Sequence, residues 1–207
     1  MRVVLQYTKQ GAMKYVSHLD FQRLWRRLFR MADIAVANTQ GFNPLPRMRF
    51  AAPLPTGFAS CNELMEVFLA AAMDLDELLG RLNRFTPQGM DILAATPVPD
   101  SFPKLTALVD ALEYSVELPE CRVLPSAVED CVPGGSTAWQ QFVLAAELHG
   151  RRWRLLLASI EQKTLRPDVL VRQLFPEFDH VAIIRTGIFT RNRNIKPVPQ
   201  GLSLLID

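Results

Sequence analysis

Residues 17–31, SHLDFQRLWRRLFRM, constrain this chain more than any other stretch. Phe21, Leu24, Trp25 and Leu28 recur at i, i+3, i+4 and i+7, the spacing of one buried helical face. Ser17 stands where an N-cap belongs. Asp20, three residues on, sits near the positive end of the helix dipole. The helix is therefore expected to start at Ser17 and to bury a single stripe.

Its neighbours read as strands. VVLQYT at 3–8 precedes it, and RMRFAAPL and ELMEVFLA follow, joined by the turn-rich PTGFASCN. DLDELLGRLNRF is a second helix, capped by Asp74 or Asp76, and MDILAATPV a further strand. The order β-α-β-β-α-β is the split βαβ pattern of a ferredoxin-like fold. PVPDSFPKL, residues 97–105, holds three prolines in nine residues and reads as a linker. The order then recurs. LEYSVEL alternates Leu112, Tyr114, Val116 and Leu118 with polar residues, as a half-buried strand does. A short helix is expected near 122–131. AWQQFVLAAEL and RWRLLLAS flank HGR, a hairpin with Gly150 at its turn. LRPDVLVRQLF places Pro167 where a first helical turn tolerates it, and VAIIRTGIF closes the set. The expectation is an α+β chain of two tandem ferredoxin-like units: 1–96, a proline-rich linker at 97–105, and 106–207.

With 207 residues, 49% of them apolar and 21% charged, the chain can build a substantial globular core. No apolar run approaches the ~20 residues that cross a bilayer. MRVVLQYTKQG reads as a first strand and not as a signal peptide, so a cytoplasmic location without membrane contact is expected. Cys61, Cys121 and Cys131 have neither zinc-finger nor thioredoxin spacing and are expected to be small buried side chains.

Charge is unevenly spread. Residues 1–50 hold nine Lys or Arg against Asp20 and Asp33, whereas 51–145 hold four against thirteen Asp or Glu. On the first helix Arg23, Arg27 and Arg30 lie at i, i+4 and i+7 with Arg26 beside them, away from the apolar stripe. Such a face is either solvated or an anion-binding surface, and arginine suits bidentate phosphate contacts. Lys9, Lys14, Arg47 and Arg49 are close in sequence, and a sheet could gather them. GFNPLPRMRF, 41–50, is too irregular for a helix and too apolar for a solvated linker. Gly41 permits an unusual backbone angle and two prolines stiffen the loop. Phe42 beside Asn43 could stack on a base and bond its edge, as readers of single-stranded RNA do. The alternative is that Phe42 plugs the core.

His18 stands at the helix start, where the dipole favours a neutral imidazole. It could serve as a general base in metal-free RNA cleavage, or simply hold the helix start through a hydrogen bond. No His, Cys or Asp cluster has metal-ligand spacing, and no Gly-rich phosphate loop, G-x-S-x-G or H-E-x-x-H occurs. No cofactor is expected. RTGIFTRNRN, with Arg185, Arg191, Arg193 and Lys196, could extend a basic surface or be a solvated tail.

The stretch KYVSHLDFQRLWRRLFRMADIAVANTQGFNPLPRMRFAAPLPTGFAS, with NELMEVFL and LNRFTPQGMDIL, closely resembles the bacterial radical-SAM-linked domain of unknown function in its stand-alone form. The shared features are the Ser-His-Leu-Asp helix opening, Ser17–Asp20, the Gly-Phe-Asn-Pro-x-Pro loop, Gly41–Pro46, and the Pro-Leu-x-x-Gly turn, Pro53–Gly57. The likeness is specific to about residue 96 and looser beyond, at LRPD and IIRTGIF. It implies partnership with a radical SAM protein acting on RNA, possible substrates being tRNA or rRNA. A remote likeness to the double-ferredoxin RNA endonucleases of CRISPR systems rests on architecture and His18 alone. The chain lacks the C-x3-C-x2-C loop that holds the iron–sulfur cluster of the radical enzyme. An RNA-binding accessory module, more an adaptor than an enzyme, is the leading expectation. Its candidate contacts are Lys14, Arg23, Arg26, Arg27, Arg30, Phe42, Asn43, Arg47 and Arg49. A metal-independent ribonuclease using His18 and a pure protein-docking module are the alternatives.

Overall fold

The computed structural model describes residues 1–119, 141–178, 180–192 and 194–197, with side chains described through Thr190. Met1–Leu108 and Val109–Val198 form separate compact units. The architecture is α+β, with antiparallel strands and three α-helices among the described residues. None of those helices is long and apolar enough to cross a membrane.

The first unit runs β1 (Arg2–Lys9), α1 (His18–Met31), β2 (Met48–Phe50), β3 (Ala59–Phe68), α2 (Leu75–Asn83) and β4 (Ile92–Val98). The strands lie in the order β4-β1-β3-β2, every pairing antiparallel. Alternation explains which side faces the helices. Val3, Leu5 and Tyr7 of β1 share a face with Met65 and Val67 of β3, and there they meet Phe21, Trp25, Leu28 and Phe29 of α1 and Leu78 and Leu82 of α2. Burying each large apolar side chain contributes about 1.5–3 kcal/mol. Leu24, expected in the stripe, is only partly buried at its margin.

Both helix starts are capped by side chains. The Ser17 hydroxyl accepts from the Asp20 N–H at 3.2 Å, and Asp74, not Asp76, accepts from the Glu77 N–H at 3.0 Å. β2 is shorter than RMRFAAPL suggested, because Pro53 and Pro55 interrupt the segment without N–H donors for a ladder. Cys61 is half-buried, whereas Cys121 and Cys131 lie outside the described residues.

The proline-rich stretch is packed onto this unit. Val98 ends β4, and Phe102 and Leu105 are buried. Arg2 donates from Nη2 to the Pro103 carbonyl at 2.7 Å, and from Nη1 to the carbonyls of Asp100 at 3.4 Å and Phe102. Three prolines in 97–105 would leave carbonyls without ladder partners; one guanidinium takes up three carbonyls of this stretch.

The second unit comprises β5 (Ala111–Glu117), β6 (Val143–His149), β7 (Arg152–Ile160), the short β8 (Lys163–Thr164), α3 (Pro167–Leu174), β9 (Ala182–Asn192) and β10 (Asn194–Pro197). Its strands lie in the order β9-β5-β7-β6, again antiparallel, with β8 on β7 and β10 on β9. Gly150, at φ +64°, turns the β6–β7 hairpin, and Pro167 opens α3 as expected. The helix expected near 122–131 falls outside the described residues. Arg185 is not a surface residue: it is 1% exposed and its Nη2 donates to the Tyr114 hydroxyl at 3.1 Å.

Candidate nucleic-acid interface

The segment that follows α1 builds a projecting loop. The Ala37 N–H donates to the Phe68 carbonyl, the Arg47 N–H to that of Ala37, and the Phe68 N–H to that of Arg47. Further out, the Thr39 N–H donates to the Leu45 carbonyl at 2.7 Å, and the Leu45 N–H to the Thr39 hydroxyl at 3.0 Å. These bonds zip the arms from Ala37 to Arg47 and leave residues 40–44 as the tip. Pro44 and Pro46 bring no N–H, so the ladder cannot extend around it. Gly41 adopts φ +149°, a value side chains rarely take.

At that tip Phe42 is fully exposed and Asn43 is exposed beside it. Phe42 is therefore not a core plug. A phenyl ring wholly in water gains nothing from its own fold, so it is available to a flat partner.

Arg47 and Arg49 sit on the returning arm. Met48 and Phe50 turn toward the helices and pack on their core. Alternation then puts Arg47 and Arg49 on the opposite face of the sheet, where Phe68 and Glu66 lie. The Arg47 guanidinium carbon is 3.8 Å from the Phe68 ring centroid. Arg49 donates from Nη1 to Glu66 Oε1 at 3.0 Å, and its guanidinium carbon is 5.9 Å from the same centroid. Glu66 is fully buried and also receives Arg2, whose Nε lies 3.0 Å from Oε2.

The expected basic surface thus divides. Arg23, Arg26, Arg27 and Arg30 belong to α1, which covers the other face of the sheet. Its face carries an acid: Arg23 pairs with Asp20 at 2.8 Å. The Ser17 hydroxyl first, and Arg23 after it, hold the Asp20 carboxyl below the ordinary carboxylate range. Arg27 and Arg30 are exposed and have no ion-pair or hydrogen-bond partner among the described residues. Arg26 is half-buried, with an Nε that lacks a partner. Lys14 lies over the Tyr15 ring at 5.0 Å. Lys9 does not join Arg47 and Arg49. It is buried on the helix side, where its ammonium donates to the Val16 carbonyl at 2.8 Å and lies 4.9 Å from the Phe21 centroid.

Lys9 instead meets His18. Tyr7, Lys9, His18, Phe21, Phe50 and Glu63 line one small cleft under the start of α1. His18 packs edge-on against Phe50, and its Nε2 is 2.9 Å from the Gln22 amide nitrogen. Burial first, and Lys9 second, push the imidazolium pKa below its usual value, so the ring is neutral at pH 7. A neutral imidazole is chemically able to accept a proton. Here, however, its Nε2 is engaged, and the cleft has space only for a water-sized guest. Among the described residues no group of three His, Cys, Asp or Glu could hold a metal ion.

Arg2, Glu66 and Phe68 are the participants the sequence did not reveal. Alternation within ELMEVF offered the one available signal, since a strand buried on both faces that still carries Glu66 requires a cationic partner. The family model described as "Uncharacterized protein conserved in bacteria (DUF2344)" matches residues 2–167. No curated protein matches the chain.

Proposed function

We propose that this chain, which belongs to the DUF2344 family of proteins conserved in bacteria, is a non-catalytic RNA-binding module that serves a radical SAM RNA-modifying protein. The observation that carries this reading is the fully exposed Phe42 beside Asn43, on a loop whose arms are hydrogen-bonded and whose tip is stiffened by proline. An aromatic ring offered on a rigid support pairs with a base at little conformational cost, and an adjacent amide can bond the base edge. The tie to a radical SAM protein comes from the resemblance of the SHLD, GFNPLP and PLPTG motifs. We assign RNA to the loop and its returning arm, and the partner protein to α1, because Arg47 and Arg49 lie across the sheet from that helix.

We also read both units as ferredoxin-like. The strand orders β4-β1-β3-β2 and β9-β5-β7-β6 support this, as does the first unit's β-α-β-β-α-β sequence of elements.

The test is a titration of the full chain with single-stranded RNA, comparing wild type with Phe42→Ala. The variant should bind about 1–3 kcal/mol more weakly at an unchanged salt slope. Its melting temperature should match wild type. RNA affinity equal to wild type, or no RNA binding by either protein with the partner present, overturns the reading. Incubation with RNA without metal addresses the ribonuclease alternative: cleavage abolished by His18→Ala would replace the binding module with an enzyme.

A further inference from the structure

We propose that Arg47 and Arg49, with Phe68 as their floor, form a two-guanidinium seat for phosphate. This deepens the RNA reading and rests on it, assigning the sugar–phosphate backbone to the returning arm while Phe42 meets a base. Three observations converge. First, residues i and i+2 of one strand face lie about 7 Å apart, so the two cations share one patch. Second, both guanidiniums are held before any ligand arrives. Arg47 lies over the Phe68 ring, its guanidinium carbon 3.8 Å from the centroid, and Arg49 is tied to the buried Glu66 at 3.0 Å. The ring offers no lone-pair acceptor, so the Arg47 N–H donors remain for a bidentate acceptor.

Third, the charges do not cancel. Glu66 is one carboxylate shared by Arg2 and Arg49, and Arg47 has no acid partner among the described residues. Three guanidiniums and one carboxylate around Phe68 leave a surplus of two positive charges. Arg47 is exposed and the Arg49 side chain is 43% exposed, so an anion can reach both. Phosphate fits better than carboxylate because its oxygens are spread around a tetrahedron and can accept from two separate forks. A phosphodiester strand and a free phosphate present the same oxygens, and the probes below separate them.

The experiment follows the arginine Nε–Hε NMR signals of the full chain, assigned with Arg47→Lys and Arg49→Lys. One probe is a single-stranded oligouridylate and the other is inorganic phosphate. Both signals should shift with the oligonucleotide. Arg47→Lys, which keeps the charge but loses the fork, should weaken oligonucleotide binding tenfold or more without lowering the melting temperature. Arg47→Gln should in addition lower the slope of log affinity against log salt by roughly 0.7. Still signals with both probes, or unchanged affinity in both Arg47 variants, overturn the seat. If phosphate moves the two signals and the oligonucleotide does not bind, the seat stands and the RNA reading falls. If the oligonucleotide binds while both signals stay still, the RNA reading stands and the seat falls.

Discussion

Arg2 and Glu66 form an ion pair closed to solvent, the guanidinium 4% exposed and the carboxylate 0%. The pair is costly to desolvate and costly to break. Removing one partner of a buried pair typically costs about 3–5 kcal/mol, because the other charge is left without compensation. Arg2 also holds the carbonyls of Phe102 and Pro103, so it fastens the proline-rich stretch to the sheet.

Arg2→Met should therefore destabilise the first unit by about 3 kcal/mol or more in urea unfolding. Amide exchange at Phe102, Lys104 and Leu105 should accelerate. Glu66→Gln should destabilise comparably while leaving that exchange nearly unchanged, since the guanidinium keeps its carbonyls. A loss below about 1 kcal/mol for Arg2→Met would show that Arg49 alone satisfies Glu66.

Gly57 and Gly89 separate two reasons for glycine. Both have left-handed φ angles, +92° and +88°. A Cβ on Gly57 would meet nothing within 4 Å, whereas one on Gly89 would lie 2.5 Å from the Gln10 carbonyl oxygen. Gly57→Ala should cost only the conformational term, about 1–2 kcal/mol. Gly89→Ala should cost clearly more, because the Gln10 N–H donates to the Gly89 carbonyl and backbone would have to shift on both sides. Thermal melts of the two variants, run in parallel, decide this; equal losses would mean the 86–91 turn yields freely.

Local features were legible and long-range pairings were not. Ser17, the Phe21–Leu28 stripe, Gly150 and Pro167 each act through neighbours within a turn or two, and each was readable from spacing. The fate of Phe42 was open in the sequence, because apolarity alone does not distinguish a plug from an exposed ring. The zipped arms, with Thr39 bonded to Leu45, decided it. Arg49 read as a candidate RNA contact, and its partner Glu66 was not legible because it lies across a strand pairing whose register the sequence does not state. Lys9 read as a neighbour of Arg47, yet β1 turns it to the helix face and into the His18 cleft.

His18 predicts a pH effect of definite sign. Its folded pKa is below the unfolded one, with burial the larger cause and Lys9 the smaller. At pH well above the unfolded value both states are neutral and no stability is lost. As pH falls through ~6.5 the unfolded chain takes up a proton that the folded chain resists, so stability declines. His18→Gln should lose less stability than wild type between pH 7.5 and 5.5, measured by thermal melts. An equal loss in both proteins would place the acid sensitivity elsewhere.

The outer face of α1 supplies the last test. Arg27 and Arg30 are exposed and lack partners among the described residues, whereas Arg23 is committed to Asp20. Changing Arg27 and Arg30 together to Gln should alter stability by no more than ~0.5 kcal/mol per site. The assignment of this face to the partner makes two further demands. RNA affinity should stay within about twofold of wild type, because the returning arm lies across the sheet and screening weakens charges more than ~8–10 Å apart. Copurification of a radical SAM protein should fall sharply, and most at low salt, where the lost charges are least screened. Arg23→Gln should disturb the partner less, since its charge is already offset by Asp20. A tenfold loss of RNA affinity in the Arg27/Arg30 variant, with copurification intact, would make the helix the RNA surface and reverse the division of labour between the two faces.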